Sequence, residues 1–369
     1  MQPHGAPIRT ERYHTIVIGA GQAGLAVGYE LQRREDDFVI LEASSRIGES
    51  WRRRWDSLCL FTSAAHSGLP DLPFPSVPSR FPTKDEVADY LEQYAARFDL
   101  PLRLDTPVKS LTRVAGRYAV QTAAVTYEAS NVIVATGMQQ SPVIPAIANR
   151  LSSRIHQLHS VEYVNPHLLP AGPALVVGAG YSGVQIAIEL ARFRPVWLAG
   201  RSRGHIPRRV LGRDIHDWTW PLLSRLTVDT RAGRALRHRV RRGEPIVGIS
   251  ARHIAAVGAS RVGRVSTVLD GYPVCDDAPI PADVVVWATG YRPDFSWIRL
   301  PVLGLDRSPR HECGVVRESL GLYFVGLCFQ TSYMSALIGG VGRDAAHIAE
   351  RIAGRASVGV NGVRRRASW

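Results

Sequence analysis

The stretch from His14 to Glu42 reads HTIVIGAGQAGLAVGYELQRREDDFVILE, and it decides the fold of the chain. An apolar run at 15–18 leads directly into GAGQAG at 19–24, which is a GxGxxG pattern. A helix-length segment follows, and FVIL at 38–41 forms a second apolar run. This order of strand, glycine turn, helix and strand predicts a βαβ unit that binds a dinucleotide.

Each glycine of this first fingerprint has its own physical role. Gly19 permits the tight turn, Gly21 lets the backbone approach a pyrophosphate, and Gly24 lets the helix pack closely on the strand. The helix starts near Gln22 and Ala23, where free N–H groups and a partial positive charge favour an anion. A diphosphate is therefore expected at this helix start.

The acid at the end of the second apolar run indicates which nucleotide binds. Glu42 lies 23 positions after Gly19, near the offset of about 20 at which a carboxylate accepts hydrogen bonds from a ribose 2′-hydroxyl. A carboxylate there would repel a 2′-phosphate. The ligand of the first site is predicted to be FAD or NAD rather than NADP.

Composition limits the class of protein. The chain has 369 residues, which allows two domains, and 45% hydrophobic residues are ordinary for a globular protein. No run approaches the roughly 18 apolar residues of a membrane span, and the N-terminus lacks the apolar region of a signal peptide, so we predict a cytoplasmic protein. Residues 1–12 are predicted to be a disordered tail. No CxxC and no metal-ligand spacing is present, so no metal site is expected.

The net charge of +13 is carried almost wholly by arginine, because Lys84 and Lys109 are the only lysines. Much of the excess lies in an arginine-rich insert near 201–242. A basic surface could attract nucleic acid or an anionic membrane. Since no nucleic-acid-binding motif accompanies it, we interpret the insert as a solvated face plus an anionic-cofactor site, and no nucleic-acid partner is expected. Its Trp218 and Trp220 make it a candidate lid or substrate wall.

A long irregular segment follows the first fingerprint. IGESWRRRW at 47–55 continues into DSLCLFTSAAHSGLPDLPFP, which is too long for a simple connector and is predicted to lie over the bound cofactor. Ser50, Trp51 and Thr62 are therefore candidate cofactor-binding residues. Thr83, followed three residues later by Glu86, predicts the start of an amphipathic helix.

The next segment predicts strands that reach the cofactor. Short alternating stretches at 102–127 favour an antiparallel β-meander. A buried strand then ends in three small residues, at which the backbone could touch a ligand. The cofactor-binding candidates of this region are Val108, Ala135, Thr136 and Gly137.

The βαβ pattern occurs a second time. ALVVGAGYSG at 174–183 repeats the apolar run and the glycine turn, and a helical segment and the run PVWLAG follow. The corresponding nucleotide-binding candidates are Gly178, Gly180, Tyr181, Ser182 and Gly183.

The two units differ at the ribose end. The position equivalent to Glu42 holds Arg201, and Arg203 is close by. A guanidinium can pair in fork geometry with a 2′-phosphate, whereas a carboxylate selects an unmodified ribose. The first site is thus predicted to bind FAD and the second NADPH.

The remaining pattern predicts how the two units are connected. The strand DVVVW at 283–287 repeats the ending seen at 135–137, now as Ala288, Thr289 and Gly290, and returns the chain to the first domain. We predict an FAD-binding domain of residues 13–150 plus 285–369 and an NADPH-binding domain of residues 151–284. The fold class is α/β, with two nested Rossmann-like domains, each a three-layer ββα arrangement with a short β-meander. A turn near Ile338 could place helix N–H groups near the electron-rich end of a flavin ring.

With these motifs the chain resembles the class B flavin-dependent monooxygenases, meaning the flavin-containing monooxygenases and their plant auxin-forming and bacterial relatives. The resemblance covers nearly the whole chain through GAGQAG, IGESWRRRWDSL, the strand ending ATG, VVGAGYSG, WATGYRPDFSW and SALIGGVG. It implies reduction of FAD by NADPH, reaction with O2 to a C4a-hydroperoxyflavin, and N-, S- or Baeyer–Villiger oxidation of a small organic substrate.

The family's motif FxGxxxHxxx followed by Tyr or Phe is only partly present. His159 and Tyr163 fit, whereas Ser153 and Ile155 stand where Phe and Gly are expected. The asparagine that many members place over the flavin has no clear counterpart, since the matching loop reads FTS at 61–63.

The protein's task in such chemistry is to exclude water and position groups, so no catalytic triad or metal cluster is expected. Thr62, His66 and His159 are the candidate catalytic residues. Two alternatives stay open: an NADPH oxidase or reductase without oxygen transfer, which the altered motif favours, and a redox-sensing flavoprotein without turnover. The expected partners are a small-molecule substrate and O2, with a homodimer as a further possibility.

Overall fold

The computed structural model describes residues 9–202, 204–241 and 245–366. Its strands are β1 (Arg9–Ile18), β2 (Phe38–Leu41), β3 (Leu102–Arg103), β4 (Ser110–Val114), β5 (Arg117–Gln121), β6 (Val125–Val134), β7 (Ser141–Pro142), β8 (His156–His159), β9 (Ala174–Val177), β10 (Val196–Ala199), β11 (His205–Ile206), β12 (Arg209–Val210), β13 (Arg213–Asp214), β14 (Ile246–Val247), β15 (Ala259–Val262), β16 (Val265–Leu269), β17 (Tyr272–Cys275), β18 (Ala278–Pro279), β19 (Val284–Trp287), β20 (Tyr291–Arg292) and β21 (Leu322–Phe324).

The helices are α1 (Gln22–Gln32), α2 (Glu49–Arg52), α3 (Lys84–Arg97), α4 (Tyr181–Leu190), α5 (Ile215–Arg225), α6 (Arg231–Arg241), α7 (Ala251–Ala256) and α8 (Val341–Arg366). Short 3₁₀ helices span Ala64–His66, Ala146–Arg150, Pro166–Leu168, Tyr333–Ala336 and Ile338–Gly340. In the described part of the chain, no helix is both long enough and apolar enough to span a bilayer.

The first sheet contains the predicted βαβ unit at its centre. β1 lies between β2 and β6 and is parallel to both, and β21 adds a further parallel strand to β6. Ile16 and Val17 are fully buried, one on each face of the sheet, which accounts for the continuous apolar run of β1. The capping box predicted at Thr83 and Glu86 is present and starts α3.

Helices and strands cover opposite faces of this sheet. α1, α3 and α8 pack on one face in a common apolar core. The meander strands β4 and β5 lie over the other face, and their Leu111 and Val120 share a second core with Ile16 and Val39. This is the predicted three-layer ββα arrangement.

The extent of the meander differs from the prediction of residues 102–127. β3 pairs in parallel with β2 and belongs to the Rossmann sheet. β6 is one continuous strand, whose first half is antiparallel to β5 and whose second half is parallel to β21. The alternation in the sequence does not reveal this, because a strand can change partners along its length without changing its side-chain period.

The predicted disordered tail at 1–12 is wrong for residues 9–12, and residues 1–8 lie outside the described residues. β1 begins at Arg9, and its first half pairs in parallel with the first half of β6. Arg12 and Glu128 form an ion pair of 2.9 Å there. Sheet pairing orders a segment that is polar in sequence, because the backbone hydrogen bonds do not depend on the side chains.

The second sheet repeats the design in five parallel strands, in the order β15-β10-β9-β19-β8. α4 and α7 pack on one face, and the antiparallel meander of β16, β17 and β18 contributes Cys275 to the core on the other face. The predicted fold class, two nested Rossmann-like units with a meander in each, is therefore confirmed.

The two units are connected by short pairings. The chain leaves the first sheet through β7 and returns through β20, and these two strands pair antiparallel. The Arg54 guanidinium donates to the Tyr291 hydroxyl and to the Gln139 amide oxygen, both at 2.6 Å. The division into 13–150 plus 285–369 and 151–284 agrees with this path, and its boundaries stay a prediction.

Candidate functional site

The first fingerprint forms a glycine turn between β1 and α1. Gly19 has φ of +103°, and a Cβ added there would lie 2.7 Å from the carbonyl oxygen of Ala135. A Cβ at Gly24 would lie 1.8 Å from the carbonyl oxygen of Gly19, so helix and strand touch through their backbones. A Cβ at Gly21 would meet no described atom within 4 Å. The backbone is thus tight at two glycines and open at the third, where a pyrophosphate would approach.

A cleft of about 340 Å³ opens beside this turn, within the size range of small-molecule sites. Ten predicted cofactor-binding residues line it: Gly19, Gly21, Gln22, Ala23, Glu42, Ser50, Val108, Ala135, Thr136 and Gly137. The structure therefore brings together residues that are more than 110 positions apart in the sequence.

Four predicted members do not line the cleft. Gly24 lies beneath it in the helix–strand contact, and Trp51 packs between the apolar cores of the two units. Thr62 and Ile338 are buried in the protein interior. The assignment of these four residues to a cofactor stays a prediction.

Glu42 lines the cleft and is held in place by two backbone groups. Its Oε2 accepts the Ala20 N–H at 2.7 Å and its Oε1 accepts the Ser44 N–H at 2.9 Å. Each carboxylate oxygen can accept a further hydrogen bond, so the side chain is oriented and still able to receive ribose hydroxyls.

Sequence reasoning missed several residues of this cleft. Arg46 and Thr106 belong to loops without a motif, Trp297 is the last residue of the WATGYRPDFSW motif, and Ser335 and Ala336 come from the turn before α8. The SALIGG pattern at 335–340 gave a signal for that turn and the WATGYRPDFSW motif gave one for Trp297, but no local signal marks Arg46 and Thr106.

The second fingerprint has the same backbone geometry as the first. Gly178 has φ of +117°, and its added Cβ would lie 2.1 Å from the Ala288 carbonyl oxygen. A Cβ added at Gly183 would lie 1.7 Å from the Gly178 carbonyl oxygen, and a Cβ added at Gly180 would meet no described atom within 4 Å. We call the glycine turns at 19–24 and 178–183 the first and second cradles. Their backbones therefore have the same geometry.

Tyr181 and Ser182 begin α4 at the second cradle. The Tyr181 ring stacks on Phe61, with ring centroids 4.7 Å apart, and its hydroxyl accepts the Val247 N–H. Tyr181 thus joins the second cradle to the 61–67 loop of the first unit.

Two arginines lie where β10 ends, beside the second glycine turn. Arg201 is exposed directly after β10 and Gly200. From the neighbouring strand β15, the Arg261 guanidinium donates to the Gly200 carbonyl at 3.1 Å. Arg261 was not predicted, because only the parallel register of β10 and β15 brings it to this end. Arg203 lies outside the described residues.

His159 is buried at the end of β8 and supports the second Ala-Thr-Gly segment. Its Nε2–H donates to the Gly290 carbonyl at 3.0 Å, and its Nδ1 accepts the Val161 N–H at 3.2 Å. These bonds fix the neutral tautomer that is protonated at Nε2. Burial lowers the pKa of His159 below its usual value. The ring also meets Tyr291 edge to face at 5.0 Å. Both ring nitrogens are engaged by the backbone, so the geometry gives His159 a positioning role.

The candidates Thr62 and His66 lie in the 61–67 loop, apart from the cleft. The Thr62 and Ser67 hydroxyls are 3.0 Å apart in a buried pair. His66 reaches the insert, where its Nε2 is 2.8 Å from Asp217 Oδ1 and its ring stacks on Trp220 at 4.5 Å. The three predicted catalytic residues are therefore not gathered in one place, and their catalytic role stays a prediction.

His66 and Trp220 border a second cavity of about 450 Å³, which Gly339 also lines. Since Ser335, Ala336 and Val341 line the cofactor cleft, the turn at 335–341 separates the two spaces. Apolar side chains dominate the lining of this second cavity.

A buried carboxyl group lies behind the same turn. The Thr331 hydroxyl donates to Asp344 Oδ1, and the Thr331 N–H donates to Ser335 Oγ at 3.0 Å. Burial raises the pKa of Asp344. The sequence gave no sign of this group.

The described residues contain neither a disulfide nor a cluster of side chains that could bind a metal ion. The four cysteines, Cys59, Cys275, Cys313 and Cys328, form no disulfide with one another. No group of three or more His, Cys, Asp or Glu side chains in the described ranges has the arrangement of a metal site.

A family model described as pyridine nucleotide-disulphide oxidoreductase matches residues 16–226, which include both cradles. The chain belongs to this family and is an oxidoreductase.

Two curated relatives are similar to this chain over most of its length. An uncharacterized oxidoreductase, CzcO-like, from Geobacillus kaustophilus (strain HTA426) is 41% identical over 338 residues, covering 90% of this chain and 96% of the relative. The probable indole-3-pyruvate monooxygenase YUCCA7 from Arabidopsis thaliana is 28% identical over 384 residues, covering 92% of this chain and 87% of the relative.

Solved structures share the fold. A flavin-containing monooxygenase from Stenotrophomonas maltophilia aligns with a TM-score of 0.78 at 24% identity, covering 94% of this chain and 99% of that chain. A complex of OTEMO with FAD and NADP aligns with a TM-score of 0.64 at 16% identity, covering 94% and 86%. The resemblance to class B flavin-dependent monooxygenases and the expectation of FAD and NADPH as cofactors are confirmed.

Proposed function

We propose that the protein takes a hydride from NADPH, passes it to FAD, and uses O2 to oxygenate a small organic substrate at nitrogen, at sulfur or beside a carbonyl. The observation that carries this proposal is a contrast between two duplicated cradles. Their glycine backbones match, but the ribose end of one presents Glu42 and that of the other Arg201 and Arg261.

The first cleft fits FAD. The open position at Gly21 and the start of α1 would receive the pyrophosphate, and Glu42 would accept ribose hydroxyls. The small residues Ala135, Thr136 and Gly137 let the backbone line the same space.

The second cradle fits NADPH. Gly180 and the start of α4 would receive its pyrophosphate, and the guanidinium of Arg201 would pair with the 2′-phosphate. When bound, the flavin supplies the electron transfer and oxygen chemistry that side chains lack. This chain's residues would position the two nucleotides and exclude water from the reacting centre.

The experiment measures coupling in the purified, FAD-loaded protein. NADPH oxidation, O2 uptake and H2O2 release are followed with a thioether, an amine, a ketone and indole-3-pyruvate, the last suggested by the name of the plant relative. Oxygenated product formed with one of them, at more than half of the NADPH consumed, supports the proposal.

An NADPH oxidase is the second candidate function. Ser153 and Ile155 favour it, because they stand where the resembled family has Phe and Gly. Stoichiometric H2O2 with every substrate would select the oxidase, and negligible NADPH turnover with each of them would contradict both functions.

A further inference from the structure

The arginine-rich insert exposes apolar side chains on one side of a hairpin and a helix. Leu211 is 87% exposed at the tip of the hairpin formed by β12 and β13, and Trp218 and Leu222 are 47% and 58% exposed one turn apart on α5. The Trp218 indole N–H donates to the Val210 carbonyl at 3.1 Å, so helix and hairpin are joined. We call the surface of Val210, Leu211, Trp218 and Leu222 the insert patch.

Leu211 is an unusual residue for its position. Leu211 and Gly212 form a two-residue hairpin loop with φ of +51° and +77°. Such loops favour Asn or Gly at the first position, because a branched side chain is strained at positive φ. The position therefore holds an apolar residue that is both conformationally strained and open to water. A local cost of this kind indicates a role outside the folding of the chain.

Positive charge accompanies the insert patch. Residues 204–241 contain nine arginines and three aspartates. The Arg213 guanidinium lies 5.6 Å from the centre of the Trp218 ring, and Arg209 and Arg225 are exposed. Tryptophan, leucine and arginine on one surface are typical of segments that lie at the interface of an anionic bilayer.

The opposite side of α5 is fixed to the body of the protein. His216 is buried, and Trp220 stacks on His66. Because Trp218 and Leu222 lie on the other side of the helix, the insert patch points away from the fold on a fixed support.

We propose that the insert patch docks on an anionic phospholipid surface. Leu211 and Trp218 enter the boundary between headgroups and acyl chains, and the surrounding arginines contact lipid phosphates. A lipid surface matches both parts of the patch. A nucleic acid would use the arginines but not Leu211 or Leu222, and a second copy of the chain would bring like charges together. This docking does not depend on the proposed reaction.

The test measures sedimentation of the full-length, FAD-loaded protein with vesicles of phosphatidylglycerol and phosphatidylcholine, and with phosphatidylcholine alone. We expect binding to the anionic vesicles that weakens as salt is added, and little binding to the neutral ones.

The decisive variant is Leu211→Gly. Glycine accepts the positive φ, so the variant should unfold at the same or a higher temperature than the native protein, while its partition onto anionic vesicles falls about tenfold. A residue that serves only the turn would give the gain in stability without the loss of binding. Leu305→Ser changes an exposed leucine outside the insert and is the matched control, with unchanged partition.

The charge component is tested separately with Arg209→Gln and Arg213→Gln. Each should lower the partition about fivefold, which corresponds to about 1 kcal/mol per arginine near a lipid surface.

Three outcomes would overturn the proposal. The first is no binding to anionic vesicles, and the second is equal binding of the native protein and Leu211→Gly. The third is a protein that does not bind the vesicles and has another partner instead. That partner would be a second copy, if Leu211→Gly dissociates a dimer in solution, or duplex DNA, if tight binding to it is unchanged in Leu211→Gly.

Discussion

At the level of single residues, each of the two cradles contains two kinds of glycine. One kind is required by backbone packing, and the other leaves open space in which a ligand could bind. Gly183 has no space for a Cβ, because the Gly178 oxygen would lie 1.7 Å away. Gly180 has an extended backbone, and a Cβ there meets no described atom. The same motif therefore contains one glycine that the packing of helix and strand requires and one that leaves open space where we expect the nucleotide to bind.

This difference predicts opposite results for two alanine substitutions. Gly183→Ala should destabilise the protein by about 1–3 kcal/mol, because helix and strand must separate. Gly180→Ala should leave the unfolding temperature unchanged and raise KM for NADPH about tenfold, because the methyl group occupies the phosphate position. Thermal unfolding and steady-state kinetics check the pair. Equal stability of the two variants would contradict this reading of the motif.

The charge at the ribose end predicts the choice of dinucleotide. Arg201→Ala should raise KM for NADPH about ten- to a hundredfold, the range expected for a lost hydrogen bond to a charged group, and change KM for NADH little. Arg154→Ala, at an exposed arginine outside the insert, is the matched control. Equal effects of Arg201→Ala on both coenzymes would remove the assignment.

At the level of secondary structure, β8 is tied to the second cradle through His159. Burial lowers the pKa of His159, so in the acid range the unfolded chain, with a pKa near 6.5, takes up a proton before the folded protein does. The resulting stability is fully present above about pH 6.5 and is lost as the pH falls through the lowered folded pKa. Burial lowers the pKa of His216 and His311 in the same direction, so His159 accounts for one share of the effect.

We therefore predict that His159→Gln reduces the loss of stability between pH 7.5 and about pH 5. The measurement is the free energy of unfolding by urea at several pH values. His156→Gln changes an exposed histidine on the same strand and should leave the pH dependence as it is. A slope that is the same in the native protein and in His159→Gln would exclude the burial effect.

The packing of α5 on the 61–67 loop predicts how firmly the insert is held. His66→Phe keeps an aromatic ring on Trp220 but removes the contact with Asp217, which is 40% exposed and therefore contributes modestly. Trypsin should cleave at the insert arginines about two- to fivefold faster in this variant, since local opening becomes more frequent. Mass spectrometry of the early fragments measures this, and cleavage at the native rate would show that the contact does not restrain the insert.

At the level of the whole molecule, the cofactor cleft joins distant parts of the first sheet. β1, β2 and β6 contribute its walls, and the turn before α8 closes it after the chain has passed through the second unit. A ligand in this cleft binds the folded state and not the unfolded chain, and it therefore stabilises the protein.

Removal of FAD should consequently lower the unfolding temperature by several degrees. Restoring FAD to 100 times its Kd should return about 2.7 kcal/mol of stability. Gly21→Val, at the open position of the first cradle, should fold but show no such gain. A protein that is colourless as isolated and does not take up flavin would contradict the assignment of the first site.

The local sequence predicted both glycine turns and the capping box at Thr83. It succeeded there because each feature depends on residues close together in the chain, whose backbone requirements leave few alternatives. It was wrong about residues 9–12, because strand pairing with β6 does not require an apolar sequence.

The sequence by itself determined that the chain holds two glycine turns of the dinucleotide-binding type, with Glu42 after the first and Arg201 at the equivalent position after the second. Tertiary structure decided which side chains reach them. The register of β10 and β15 places Arg261 beside the second cradle, and the return of the chain to the first sheet places Ser335 in the lining of the first cleft. It also turned His159 toward the Gly290 backbone and His66 toward the insert. Such contacts depend on the relative placement of elements far apart in the chain, and local patterns carry no information about that placement.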